Sequence, residues 1–179
     1  MTSAVLAPGY GGTAEQPLLR KLAARLEADG IATSRITFST KRPSRGYVSE
    51  KQELRTARDA VVARGGAPVA LVGRSFGGRM CAFLAAEEPP DALVILGHPI
   101  APPGRPRPAD ESALLRIACP TLVVQGDRDE LGPLAVLERI AGQNPRIDIV
   151  VLLGAGHEYG PREGEAIEAA ARWLGSVLR

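Results

Sequence analysis

Six short apolar runs, rich in β-branched residues and separated by stretches of helical periodicity, dominate the sequence. They occupy residues 3–7, 31–38, 68–73, 92–96, 120–125 and 147–153. Residues 69–72 and 92–96 are apolar at every position, which is typical of parallel strands that helices cover on both faces. We therefore expect one α/β domain over residues 1–179, with a three-layer, doubly wound, mostly parallel sheet.

The composition argues against several kinds of partner. With 45% hydrophobic residues and a net charge of +2, the chain is balanced like a globular domain and has no basic stripe for nucleic acid. No segment approaches the ~18 apolar residues of a membrane span, and the N-terminal residues lack signal-peptide features, so we expect a cytoplasmic protein. Cys81 and Cys119 show no metal-binding spacing, and we expect buried thiols and no metal.

Three polar connections follow predicted strands: a Gly-rich loop at 8–13, a basic loop at 39–47 and a Pro-rich loop at 97–110. Because parallel strands end at the same edge of a sheet, these loops are expected to surround a ligand site there. The basic residues of the second loop either meet an anionic substrate or are simply solvated. The third loop is too short to fold into a cap over the site.

Gly73-Arg74-Ser75-Phe76-Gly77-Gly78 fits the pattern Gly-x-Ser-x-Gly. It lies between a predicted strand and a helix-compatible run, which is the strand-turn-helix context that a nucleophile elbow needs. Small residues at positions 73 and 77 let the chain turn sharply and expose the serine hydroxyl, while the helix N-terminus favours negative charge nearby. Ser75 is therefore the predicted nucleophile.

A serine nucleophile needs a base, and the chain contains two histidines, His98 and His157. His157 is the better candidate because it follows the last predicted strand in the Gly-rich run 154–158, whereas His98 is expected to pack near the sheet edge. A carboxylate should follow the penultimate strand, and both Asp127 and Asp129 lie there.

These motifs, together with the loop Ala7-Pro8-Gly9-Tyr10-Gly11-Gly12, resemble the α/β-hydrolase superfamily over nearly the whole chain. The closest likeness is to small, cap-less proteins similar to dienelactone hydrolases. The acid turn of the superfamily commonly reads Gly-x-x-Asp, which favours Asp129 over Asp127. Two departures stand out: dienelactone hydrolases use a cysteine where this chain has Ser75, and many members have His-Gly where it has Pro8-Gly9.

The resemblance implies a serine hydrolase of carboxylesterase or thioesterase type that acts on a small-molecule acyl substrate without a cofactor. Ser75, His157 and Asp129 would form its catalytic triad, and the reaction would pass through an acyl-enzyme. The resemblance also implies that the backbone N–H groups of Tyr10 and Phe76 form the oxyanion hole.

Two other functions stay open at this stage. Residues 9–14 also match the dinucleotide fingerprint Gly-x-Gly-x-x-Ala, and Thr40, Lys41 and Arg42 are suited to the 2′-phosphate of NADP. That reading predicts a reductase but leaves the serine, histidine and aspartate without a role. The other alternative is a catalytically inactive binding protein with the same fold.

Overall fold

A computed structural model describes all 179 residues and contains a six-stranded sheet. The strands are β1 (Ser3–Ala7), β2 (Ala32–Arg35), β3 (Val69–Arg74), β4 (Ala92–Leu96), β5 (Thr121–Gly126) and β6 (Ile147–Leu152). Their spatial order is β2-β1-β3-β4-β5-β6, and every neighbouring pair is parallel. The strand order reverses between β1 and β3, so the carboxyl ends of these two strands form the switch point where α/β sheets bind ligands.

Six helices cover the sheet: α1 (Pro17–Ala28), α2 (Val48–Ala63), α3 (Phe76–Glu87), α4 (Pro108–Arg116), α5 (Leu134–Ala141) and α6 (Glu163–Val177). Short 3₁₀ turns lie at Arg45–Tyr47 and Gly160–Arg162. Helices α1 and α6 pack on one face of the sheet, and α2 to α5 pack on the other. This three-layer arrangement confirms the predicted fold class.

The two apolar layers arise because alternate residues of each central strand point to opposite faces. Leu6 and Val72 belong to the core beneath α1 and α6, whereas Val5 and Leu71 belong to the opposite core. All four side chains are fully buried. This is the physical reason that the central strands are apolar at successive positions.

The structure departs from the sequence expectation most clearly at one strand and one loop. Strand β2 is an edge strand paired only with β1, and it ends at Arg35 instead of continuing to residue 38. The Pro-rich stretch 97–110 ends early because Pro108 opens α4, a first-turn position where the fixed φ angle of proline suits a helix.

Both cysteines are buried and free. No helix is both long and apolar enough to cross a membrane.

Candidate active site

Ser75 lies between the last residue of β3 and the first residue of α3, in a backbone conformation that L-residues rarely adopt (φ 48°, ψ −111°). Its amide donates to the carbonyl of Leu96 (3.0 Å). A Cβ atom at Gly73 would overlap the backbone of the turn, and one at Gly77 would lie 2.5 Å from the carbonyl oxygen of Pro8. Glycine is thus required on both sides of the serine, and the surrounding structure holds the strained turn in place.

The structure brings together three side chains that the sequence analysis singled out. Ser75 Oγ lies 2.8 Å from His157 Nε2, and His157 Nδ1 lies 2.8 Å from Asp129 Oδ2. The three residues follow β3, β6 and β5, so they meet because these parallel strands end at one edge. An ionised carboxylate can only accept, so Nδ1 carries the ring proton and Nε2 offers its lone pair to the serine hydroxyl.

The two aspartates of the turn after β5 have different surroundings. Asp129 is buried, and its Oδ1 accepts hydrogen bonds from the amides of Leu131 (2.9 Å) and Gly132 (3.1 Å). Asp127 is exposed and accepts from the amide of Gly154 (2.7 Å), which joins the turn to the loop that carries the histidine. Asp129 therefore faces the imidazole, while Asp127 supports the loop.

Gln125, the penultimate residue of β5, fixes the orientation of the Asp129 carboxylate. Its side-chain amide donates to Asp129 Oδ2 (3.0 Å) and to the carbonyl of Gly132 (2.8 Å), and its oxygen accepts from the amide of His98 (2.8 Å). The side chain is fully buried. Sequence reasoning missed this residue because a glutamine in an apolar strand carries no motif.

Arg74 is the second residue that the sequence analysis overlooked, since it occupies a variable position of the elbow pattern. Its buried guanidinium donates to the carbonyl of Leu96 (2.9 Å) and to the carbonyl of His157. It also lies over the ring of Tyr159, 5.2 Å from the centroid. Arg74 therefore links the serine turn to the backbone of the histidine loop.

His98 is fully buried, and neither of its ring nitrogens has a hydrogen-bond partner. Burial lowers its pKa to about 4, so the ring is neutral near pH 7. The expectation that His98 packs at the sheet edge agrees with this position, although its hydrogen bonds to Gln125 involve only the backbone. Its ring therefore takes no part in the hydrogen-bonded chain from serine to aspartate.

The two predicted oxyanion donors belong to the serine turn and to the Gly-rich loop after β1. Phe76 is the first residue of α3, where no carbonyl four residues earlier belongs to the helix, so its amide is free. The amide of Tyr10 makes no hydrogen bond within the protein. The rings of Tyr10 and Phe76 meet edge to face, 5.9 Å between centroids, which places the Gly-rich loop beside the elbow.

A cavity of about 500 Å³ opens at Ser75. Its wall combines the aromatic side chains beside the elbow with prolines and arginines, mainly from the loop after β4: Tyr10, Pro43, Tyr47, Phe76, Arg79, Pro99, Pro102, Arg105, Arg107 and Leu131. The basic residues of the 39–47 loop do not line it. A neighbouring cavity of about 240 Å³ shares Tyr10, Pro43 and Phe76 with the first and includes Lys41.

The dinucleotide alternative is not favoured by the geometry of the Gly-rich loop. The fingerprint needs a helix N-terminus within the motif so that its amides meet the pyrophosphate. Helix α1 begins at Pro17, after the motif has ended at Ala14, and the amide of Gly9 is already taken by the side chain of Gln16 (3.0 Å). No group of three or more potential metal ligands occurs in the structure.

Comparison with known proteins agrees with this architecture. The model of a family described as "Alpha/beta hydrolase domain" matches residues 1–176. No curated protein sequence matches the chain significantly.

Three solved structures illustrate the likeness. A serine hydrolase homologue from Coxiella burnetii is 25% identical with a TM-score of 0.82, covering 97% of this chain and 85% of the other. A dienelactone hydrolase from Anabaena variabilis is 25% identical with a TM-score of 0.78, covering 100% and 88%. A serine hydrolase without a lid from Xanthomonas campestris is 21% identical with a TM-score of 0.78, covering 98% and 82%. Since the family model spans almost the entire sequence, this chain belongs to the α/β-hydrolase family.

Proposed function

We propose that this protein is a serine hydrolase that cleaves ester-type bonds, as a carboxylesterase or a thioesterase-like acyl hydrolase. The observation that carries the proposal is the unbroken chain of hydrogen bonds from Ser75 through His157 to Asp129, with both distances at 2.8 Å. The likeness to proteins named as a serine hydrolase homologue and as a dienelactone hydrolase supports the same class of chemistry.

In the first half of the proposed reaction, His157 Nε2 removes the Ser75 hydroxyl proton as Oγ attacks the substrate carbonyl carbon. The carbonyl oxygen becomes an oxyanion that the amides of Tyr10 and Phe76 stabilise. The imidazolium that forms then gives its proton to the departing alcohol or thiol. Asp129 keeps the ring in the required tautomer throughout.

The second half of the proposed reaction releases the acyl group. Water takes the place of the leaving group, His157 removes one of its protons, and the resulting hydroxyl attacks the acyl-enzyme carbonyl. Collapse of the second tetrahedral intermediate returns the proton to Ser75 Oγ and frees a carboxylic acid. Asp129 is fixed by Gln125 and by two backbone amides, so the carboxylate need not reorient during the cycle.

Covalent labelling with a fluorophosphonate probe tests the proposal because such probes phosphonylate activated serines. The wild-type protein is expected to be labelled, and the Ser75→Ala variant is expected to show no label. Ser176→Ala is a matched control, since Ser176 lies in the last turns of α6 and its hydroxyl only donates to the carbonyl of Trp173. An unlabelled wild-type protein, or labelling that persists in Ser75→Ala, would rule the proposal out.

A further inference from the structure

Arginine is the only charged residue type on the wall of the cavity that opens at Ser75. Arg79, Arg105 and Arg107 line this cavity of about 500 Å³, and no aspartate or glutamate does. The three positive charges are not equivalent, because their surroundings differ.

Arg79 is neutralised within the protein. It forms a two-pronged ion pair with Asp110, in which Nε lies 2.5 Å from Oδ1 and Nη2 lies 3.1 Å from Oδ2. Both side chains are buried, at 8% and 4% exposed. Arg79 also donates to the hydroxyl oxygen of Tyr47 (3.0 Å) and lies over its ring. It therefore fixes the cavity wall and adds no net charge to it.

Arg107 and Arg105 have no acidic partner. The half-buried Arg107 makes one side-chain hydrogen bond, from Nη1 to the carbonyl of Pro99 (2.9 Å), which leaves its other N–H groups without a partner. Burial and the nearby charge of Arg79 lower the pKa of Arg107, and the charge of Asp110, which is paired with Arg79, offsets this only in part. Arg105 is exposed and forms neither an ion pair nor a side-chain hydrogen bond. The cavity wall therefore carries two uncompensated positive charges.

A partly buried guanidinium with free donors is suited to a planar oxyanion, which it can bind with two parallel hydrogen bonds. The Tyr47 hydroxyl accepts from Arg79, and its own proton has no acceptor in the protein, so it offers a further donor on the same wall. Because Ser75 lines the same cavity, one small molecule can reach both the serine and these donors.

We infer that the substrate is an ester or thioester that also carries a carboxylate or phosphate group, which Arg107 binds with Arg105 and Tyr47 while the carbonyl lies at Ser75. This inference rests on the proposed function and specifies its substrate class. It assigns the recognition of charge to the arginines of the loop after β4, and not to the basic side chains of the loop 39–47, which contributes only Tyr47.

Three anionic esters, each paired with its uncharged methyl ester (for the phosphate, its dimethyl ester), test the inference. 4-Acetoxybenzoate carries a carboxylate on the leaving group, the 4-nitrophenyl monoester of adipic acid carries one on the acyl group, and 4-acetoxyphenyl phosphate carries a phosphate. We expect kcat/KM, corrected for the spontaneous hydrolysis rate, to be about 10- to 100-fold higher for the anionic member of at least one pair. The pair that shows the preference identifies the group that is bound.

Variants of Arg107 connect this preference to the cavity. Arg107→Gln should reduce the anionic-to-neutral ratio of kcat/KM at least about 10-fold, and Arg107→Lys should keep part of it because the charge remains. Arg172→Gln removes the same charge from an exposed site on α6 that has no ion pair, and it should leave the ratio unchanged. Thermal unfolding of each variant shows whether the loop keeps its structure.

Two results would overturn the inference. One is an enzyme that hydrolyses the neutral esters but shows an anionic-to-neutral ratio of kcat/KM of one or less in all three pairs. The other is an Arg107→Gln variant that keeps the wild-type preference for the anionic ester. A protein that hydrolyses none of the esters would contradict the proposed function instead. Substrate recognition is then tested by NMR titration of the Ser75→Ala variant, in which the anionic esters should bind at least about 10-fold more tightly than their methyl esters. Equal binding of the members of every pair would refute the inference.

Discussion

The Asp129→Asn substitution is expected to lower kcat about 10³- to 10⁴-fold, because the local hydrogen bonds force the new amide into the wrong orientation. The amides of Leu131 (2.9 Å) and Gly132 (3.1 Å) both point at Oδ1, so the oxygen of the asparagine must stay on that side. Its NH₂ group then takes the place of Oδ2, facing the NH₂ group of Gln125 and Nδ1 of His157.

A donor opposite Nδ1 turns this nitrogen into an acceptor and moves the ring proton to Nε2. His157 Nε2 then has no lone pair to accept the proton of Ser75. A rate loss of this size corresponds to about 4–5.5 kcal/mol of transition-state stabilisation. The opposed donors of Gln125 and the asparagine should also lower the free energy of unfolding by about 1–3 kcal/mol.

Asp127→Asn is the matched control, since it makes the same chemical change two residues away. Its side-chain oxygen can still accept from the Gly154 amide, so kcat should stay within about threefold and stability within about 1 kcal/mol of the wild type. Hydrolysis of 4-nitrophenyl acetate and urea unfolding provide the two readouts. The reasoning is refuted if Asp129→Asn keeps more than about a tenth of the wild-type kcat, or if Asp127→Asn is the variant that loses activity.

Three further substitutions test the energetics of the site. His98 is neutral in the fold, with a pKa of about 4 against 6.5 in the unfolded chain, so wild-type stability is complete above pH 6.5 and falls as the pH drops towards 4. Between pH 6.5 and 4, the free energy of unfolding measured in urea should fall by on the order of 3 kcal/mol less in His98→Leu than in the wild type. Parallel pH profiles of the two proteins would contradict this expectation. Arg79→Met leaves Asp110 buried without a partner and should lower the free energy of unfolding by about 3–5 kcal/mol. The double variant Arg79→Met/Asp110→Leu should lose less, and a double variant no more stable than Arg79→Met would argue against a buried ion pair. Ser75→Gly should be about 1 kcal/mol more stable to urea than Ser75→Ala, because glycine tolerates a φ of 48°. A Ser75→Ala variant that is as stable as Ser75→Gly, or more stable, would show that the turn is unstrained.

The arrangement of the site could be predicted from the sequence as far as it depends on strand ends. The runs that became β3, β5 and β6 are recognisable locally, and a parallel sheet places their carboxyl ends at one edge. The positions of Ser75 and His157 follow from their motifs and from chain order, whereas the choice of Asp129 over Asp127 rested on the resemblance to the Gly-x-x-Asp turn of the superfamily. The end of β2 was placed too late, at residue 38, because apolar residues continue past the point where this edge strand leaves its partner.

The residues that hold the site together could not be predicted in this way. Arg74 and Gln125 act through contacts with loops 83 and 27 residues away in the chain, respectively, and neither belongs to a recognisable pattern. The sequence analysis left open whether the basic residues of the 39–47 loop meet a substrate or are solvated, and it did not single out Arg107, which supplies positive charge to the cavity from the loop after β4. Which loop bends over the serine depends on packing between helices, and local sequence does not encode that packing directly.

Identification of the residue that becomes acylated tests the central proposal most directly. The protein is mixed with 4-nitrophenyl acetate, quenched with acid within milliseconds to seconds, digested and analysed by mass spectrometry. We expect one acetyl group on the peptide that contains Ser75, and none on that peptide in the His157→Ala variant. Turnover without an acetylated Ser75, or an acetyl group on another residue that forms and decays at the rate of turnover, would contradict the proposal.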